Sequence, residues 1–554
     1  MVKSYREPGV WQKMRHFRLV QKCLRFFVLF SVLSSVFCLL PSQAQANNIA
    51  VSSVSLQNLD SVAGTVDIKF DVSWENSFTR TDSNGQAYFD RAWVFVKYQL
   101  NGTGAWGHAT LVSGGSVGAY STSTGTGVTT DGKGAFCKPG PNQTLRWNYG
   151  TSGDKVNINA TVQIQVMAIE MVYIPQGAFS VGDGNTSTVT GQLSMTGTTT
   201  PFNIASEGAI TLGPGTGALG NRSHSGMSTV DDFTDAAAPT ASPTNLPAAF
   251  PKGYNGFYIM KYDISQGQYR DFLNTLTYTQ QATRTANAPN LAAGTGALVT
   301  AVTYRNGLKI KTAGVASTTP AVYGCDLNGD GIYDGSNDGE WIACNYLSWA
   351  DQCAYADWAG LRPMTELEFE KACRGTIAPV NGEYAWGASD SPVATANYFS
   401  DLSSSSGTDD ATHSYANEVI GPTRPTANCN YSPASPQGPV RCGMFATSSS
   451  TRTQAGASYY GVMELSGNLW KRPVTIGQAT GRAFTGLNGD GALDSTGNAN
   501  VTNWPGTDAT GAGYRGGDWN YGTSYSRVSD RYYAANVSSV RYYDYGGRCV
   551  RTSP

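Results

Sequence analysis

The stretch LSWADQCAYADWAGLRPMTELEFEKACRG, residues 347–375, decides the fold. It carries two helix starts. Ser348 precedes Trp349–Trp358 with Asp351 in the first turn, and Thr365 precedes Glu366–Arg374 with Glu368 completing T-x-x-E. A third start lies upstream, where Ser265 precedes Gln266–Leu276 and Gln268 holds the capping-box position. In each case the cap oxygen can satisfy free N–H groups of the first turn. Glu366, Glu368 and Glu370 step by two around their helix, which predicts cap and solvent roles. Beyond Arg374 the chain is mostly Gly-, Ser- and Asn-rich loop with short strands. Few helices among many loops predict an α+β domain, not a doubly wound sheet.

Working toward the N-terminus, residues 181–252 are rich in Gly, Thr, Ser, Ala and Pro and read as a long, flexible insertion. Before them the pattern is all-β. Val66, Ile68, Phe70, Val72 and Trp74 alternate with Asp67, Lys69, Asp71 and Ser73, as in a half-buried strand. Trp93 to Tyr98 and the run from Val156 to Met167 read as further strands. A β-sandwich over 47–167 fits, with the second domain spanning 168–554. Residues 1–46 read as a secretory signal peptide. They hold a basic n-region, an apolar run from Phe26 to Leu40, and Ala44-Gln45-Ala46 as cleavage site. The run is too short to span a membrane and no later span is evident, so the mature chain is expected secreted or at the cell surface.

The signal segment contains seven of the 38 Lys and Arg and one of the 40 Asp and Glu. The mature chain is therefore acidic, which argues against a nucleic-acid partner. Eight cysteines remain after cleavage, and in an exported chain disulfides are expected. Cys325 with Cys344 and Cys429 with Cys442 are the local pairs. Cys353 and Cys373 each compete for Cys549. No C-x-x-C occurs, and His108, His224 and His413 are too scattered for a metal centre. The one G-x-S-x-G, around Ser116, lies in a Gly/Ser loop with no following helix and reads as chance.

Asp326-Leu327-Asn328-Gly329-Asp330-Gly331 opens like a calcium loop, with Asp334 at the ninth position. Asp326, Asn328, Asp330 and Asp334 are the candidate ligands and Ca2+ the one candidate cofactor, with a plain acidic surface turn as the alternative reading. The twelfth position is Asn337 where a bidentate Glu belongs, and Asp338 is one step late. Asn488-Gly489-Asp490-Gly491 with Asp494 is a weaker copy.

The tail has its own alphabet. Between Arg515 and Arg551 there is no Leu, Ile, Phe, Met, Lys, Glu, Gln, Pro or His, and seven of the chain's 30 tyrosines fall between Trp519 and Tyr545. Tyr offers large amphipathic area at low entropy cost, while Ser, Gly and Asn offer adaptable hydrogen bonding. This is the alphabet of a binding surface; a Tyr-rich hairpin packed on a domain is the plainer alternative.

MVYIPQGAFSVGDG (171–184), GFYIMKYDISQGQYRDFL (256–273), the opening stretch 347–375, YAWG (384–387), GVMELSGNLW (461–470), RGGDW (515–519) and GGRCVR (546–551) occur in that order. Over roughly 168–554 the chain resembles the formylglycine-generating enzyme (sulfatase-modifying factor) family, a variant of the C-type lectin fold. The resemblance implies two copper-binding cysteines shortly after the RGG segment. Tyr521 and Ser526 stand there, and neither can replace a thiolate. Asn468-Leu469-Trp470-Lys471 departs from the family's N-x-W-E, whose Glu is a calcium ligand. Asn397-Tyr398 matches part of another family calcium site.

The tail further resembles the variable region of lectin-fold proteins diversified by retroelements, which begins RGG-x-W. That likeness implies framework at Arg527, Val528 and Arg531. It implies variable positions at Tyr521, Gly522, Ser524, Tyr525, Ser526, Tyr532, Tyr533, Asn536, Val540, Tyr542, Tyr543, Asp544 and Tyr545. The expected function is an exported, non-catalytic binding protein for a macromolecular or cell-surface ligand, protein or glycan. Trp519 and the tyrosines would anchor it, and Asn520, Asp530, Asn536 and Asp544 would orient polar groups. The alternatives are a formylglycine-generating-type oxidoreductase with an altered site and an envelope structural protein.

Overall fold

The computed structural model describes residues 12–13, 49–185, 189–222, 224–233, 244–335, 338–390, 428–431, 437–446 and 450–554. The expected signal segment, apart from residues 12–13, Asn397-Tyr398 and His413 lie outside the described residues. Among the described residues no helix is long and apolar enough to cross a membrane.

The strands that organise the molecule are β1 (Ala50–Asp60), β2 (Thr65–Ser73), β3 (Ala87–Leu100), β4 (Gly140–Asn148), β5 (Thr161–Ile174), β6 (Phe257–Met260) and β7 (Cys549–Thr552). At the centre β5 pairs antiparallel with β3 on one side, Val166 opposite Val96, and with β6 on the other, Val172 opposite Ile259. β7 extends the sheet from β6, and Arg362–Pro363 closes that edge. Trp93 to Val96 are buried, because β3 is covered on both faces. A strand in that position reads as a continuous apolar run, not an alternating one.

One face of β3 and β5 presents Val94, Val96, Val166 and Ala168 to Val66, Ile68, Phe70 and Val72 of β2 and Trp147 of β4. β1, β2 and β4 belong to a separate four-stranded sheet laid over that face. The other face presents Trp93, Phe95, Met167 and Ile169 to the helices. Trp93 Nε1–H donates to the Ala359 carbonyl at 2.8 Å, and Lys97 Nζ donates to the Trp358 carbonyl at 2.6 Å.

β5 therefore runs unbroken through the boundary expected at 167/168. Glu170 interrupts its apolar pattern in the sequence, but it is buried against Lys261 at 3.1 Å. Residues 181–252, expected as a flexible insertion, hold two small sheets in their described part. Leu193–Met195, Leu219–Asn221, Ile210–Leu212 and Thr244–Leu246 form one, and Phe202–Ile204 joins Phe179–Val181 in the other. Few large apolar residues suffice there, because Leu193, Ile204, Leu212, Leu219 and Leu246 all point into a core shared with Trp349 and Leu367.

The helices are α1 (Gln266–Leu273), α2 (Tyr278–Arg284), α3 (Trp349–Trp358) and α4 (Glu366–Arg374). Ser265, Ser348 and Thr365 each close a capping box, both halves formed. α1 stops at Leu273, three residues short of the expected end. α2, capped by Thr277 and Gln280, was not expected from the sequence pattern.

The disulfides expected among Cys325, Cys344, Cys353, Cys373, Cys429, Cys442 and Cys549 are not formed. All eight described cysteines are free and buried. They act as small apolar fillers and weak donors. Cys429 Sγ donates to the Ser466 carbonyl at 3.2 Å and Cys442 Sγ to that of Asp263 at 3.5 Å.

Candidate functional site

The C-terminal segment is held from beneath by buried charge. α4 supplies Glu366 and Glu370. Arg515 Nη1 meets Glu366 Oε2 at 2.9 Å, and Arg515 Nη2 meets Glu370 Oε1 at 2.7 Å. Arg531 Nε meets the same Glu366 oxygen at 2.7 Å, and its Nη1 meets Asp231 Oδ2 at 2.7 Å. These five side chains are essentially solvent-free. Burial alone would raise the Glu366 carboxyl, but Arg531 and Arg515 hold it down at about 2. Val528, buried in the core, adds a backbone tie from its N–H to the Glu383 carbonyl at 2.9 Å.

The solvent roles expected for the three glutamates do not survive. Glu368 caps α4 as expected and also pairs with Arg362 at 2.6 Å, while Glu366 and Glu370 enter the network. Spacing by two does scatter them around the helix. This helix is buried on every side, so each face meets an arginine from elsewhere in the chain.

On that frame residues 515–548 run as loop with one short 3-10 turn, Thr523–Ser526, and no strand before β7. The plainer hairpin alternative is thus absent. Trp470, itself buried, is the hub beneath this face. Its ring meets Tyr533 at 5.5 Å, Tyr514 at 5.9 Å, Tyr521 at 6.0 Å and Tyr525 at 6.2 Å, all edge-on. Tyr532 packs on Tyr533 at 4.6 Å. Through Tyr514 the band continues to Tyr545 at 4.8 Å, then to Tyr542 and Tyr543. Trp519 and Tyr304 back Tyr543 at 5.5 and 4.7 Å. Edge-on and tilted pairs at these separations are the favoured aromatic geometries.

The expected ligand residues divide in two. Asn520, Tyr521, Tyr525, Tyr532, Tyr533, Asn536, Tyr543 and Tyr545 are half-buried, and Tyr542 is 43% exposed. Trp519, Asp530 and Asp544 are buried and face inward, which corrects their expected contact roles. Asp530 accepts the N–H groups of Thr190 and Tyr532, both at 3.2 Å, and burial pushes its carboxyl up to about 6. Asp518 Oδ1 accepts the Asn520 N–H, an Asx turn that shapes the loop, and also the Tyr521 N–H at 3.0 Å. Burial raises the Asp518 carboxyl strongly, and neighbouring Asp544 adds to the rise. Burial also raises Asp544. Asp518 Oδ2 and Asp544 Oδ1 are enclosed without a partner. This carboxyl pair under the rings had no signature in the sequence.

At the copper-thiolate positions, Tyr521 belongs to the surface band and Ser526 is buried. The thiols elsewhere are shifted the wrong way for metal or nucleophile chemistry. Burial pushes Cys137, Cys373 and Cys429 up to about 12. At the N-x-W-E position Lys471 is buried and its ammonium donates to the Gly467 carbonyl, so positive charge there comes from the chain itself.

Of the expected calcium ligands, Asp326 and Asp330 come together, but Asp334 does not join them. Asp334 accepts from Arg270 Nη1 at 2.7 Å, Lys311 Nζ at 3.2 Å and the Cys325 N–H at 2.9 Å. Asn328 instead hydrogen-bonds Asp330 at 3.1 Å. The third carboxylate is Asp338. The weaker copy gathers no such trio among the described residues: Asp490 and Asp494 close local turns.

No curated protein matches the chain. Among solved structures, Treponema denticola variable protein 1 aligns at 10% identity over 70% of this chain and 95% of its own, with a TM-score of 0.28. A superposition that loose assigns nothing to this chain. The model of the sulfatase-modifying factor enzyme 1-like domain matches residues 208–553. That is more than half of the molecule, and the chain belongs to this family, whose fold is C-type lectin-like.

Proposed function

We propose that this chain is an exported, non-catalytic binding protein. It displays an exchangeable tyrosine face on a lectin-like frame to a protein or glycan at a cell surface. The observation that carries the reading is the continuous run of rings from Tyr532 to Tyr543, half-exposed at Tyr532, Tyr533, Tyr543 and Tyr545 and joined underneath through the buried rings of Trp470 and Tyr514, set on loops anchored by buried arginines. Rigid aromatic anchors rimmed by Ser and Asn are what a macromolecular contact requires. Tyr521 and Ser526 in place of the copper thiolates favour binding over oxidation.

The test compares the full chain with a variant carrying Tyr532→Ala, Tyr533→Ala, Tyr542→Ala and Tyr543→Ala on a glycan array and a displayed peptide library. The reading predicts hits for the unaltered chain that fall at least tenfold in the variant. Both proteins should keep a single cooperative unfolding transition. Hits unchanged in a folded variant would place binding elsewhere. Copper-dependent oxidation of a cysteine peptide by the purified protein would overturn the non-catalytic assignment.

A further inference from the structure

The loop from Asp326 to Asp338 supplies none of the rings named in the tyrosine face and is not used by the binding reading. It follows the strand Val322–Cys325 and leads toward α3. Oxygens of Asp326, Asp330 and Asp338 lie within 4.8 Å of one another. Three carboxylates this close repel unless a cation or protons join them.

Two features point to a cation. First, Asp326 and Asp338 are 3% and 1% exposed, and each keeps one enclosed oxygen, Oδ1, without a hydrogen-bond partner. A buried carboxylate oxygen left unpaired is costly, and a bound ion is one of the standard remedies. Second, the local cations leave the trio under-neutralised. Lys309 Nζ reaches Asp326 Oδ2 at 2.8 Å, but Arg270 and Lys311 are both drawn to Asp334. Asp330 is exposed and leaves a path from solvent.

We infer that Asp326, Asp330 and Asp338 form a divalent-cation site that takes calcium, with Asp338 filling the place Asp334 has vacated. Calcium accepts irregular oxygen sets from a loop, whereas magnesium demands near-ideal octahedral geometry. The loop's ends already meet, the Leu327 N–H on the Asp338 carbonyl at 3.3 Å, and the Gly267 N–H of α1 bonds the Glu340 carbonyl at 2.9 Å. An ion would lock that closure against α1.

The experiment is calorimetric titration of chelator-treated full chain with CaCl2 and with MgCl2, beside thermal unfolding. The expected result is one calcium per chain, with an affinity on the order of 10⁻⁴–10⁻³ M or tighter, weaker magnesium binding, and a calcium-dependent rise in Tm. Asp330→Asn, exposed and foldable, should weaken calcium at least tenfold without lowering the cation-free Tm. Asp338→Asn should do the same, and Asp490→Asn should change nothing. No calcium binding into the millimolar range, or binding that survives both Asp330→Asn and Asp338→Asn, would overturn the assignment.

Discussion

Glu366 shows how much one residue can organise. Its two oxygens take Arg515, Arg531, the Thr475 hydroxyl and the Ile476 N–H, so one carboxylate of α4 holds both tail arginines, with Glu370 as a second tie to Arg515. Removing one partner of such a buried set strands the others as unpaired charge. Asp544 works in the opposite sense. It is buried without a cation, and its carboxyl is pushed up from 3.8 to about 7. The folded state then holds a proton that the unfolded chain releases near pH 4. Stability from this group is complete below pH 4 and falls as pH rises to about 7. Asp544→Asn removes that dependence, so urea unfolding at pH 5 and pH 7.5 should differ less in the variant, by on the order of 2 kcal/mol. An unchanged pH profile would show that the carboxyl ionises freely.

Helix starts are the elements that local sequence specifies most strongly. Ser348 accepts the Asp351 N–H at 3.2 Å and donates to its carboxylate at 2.7 Å. Ser348→Ala should cost about 1 kcal/mol in urea denaturation, largely restored by Ser348→Thr; no loss would mean that packing alone fixes α3. Three capping boxes were readable because cap and partner lie three residues apart. α2 has an equally good box at Thr277 and Gln280, but its seven polar-rich residues carry no apolar stripe to announce a helix. The Val156–Met167 run was misplaced for the converse reason. Glu170 sits mid-strand, and only its distant partner Lys261 makes it a core residue. The Asp326–Asp330 half of the acidic loop was legible from spacing; the exchange of Asp334 for Asp338 depends on Arg270, which spacing does not register.

For the whole molecule, β3 and β5 make the N-terminal strands part of the sheet that also holds β6 and β7, so the strand β5 crosses the domain boundary expected at 167/168. The tail's likeness placed Val528 and Arg531 in the framework, but their buried partners were illegible for a related reason. Arg531 meets Asp231 and Glu366 across 300 and 165 residues. What was legible was the tail's alphabet, because surface residues need no partner elsewhere to declare their chemistry. On the proposed function, a fixed buried frame carries an exchangeable face. The most direct test of this is sequencing codons 515–551 across a population of source cells. Substitutions are expected at Tyr521, Ser524, Tyr525, Tyr532, Tyr533, Asn536, Val540, Tyr542 and Tyr543, with Arg515, Asp518, Trp519, Val528 and Arg531 constant. An invariant segment, or changes falling equally on the buried arginines, would contradict it.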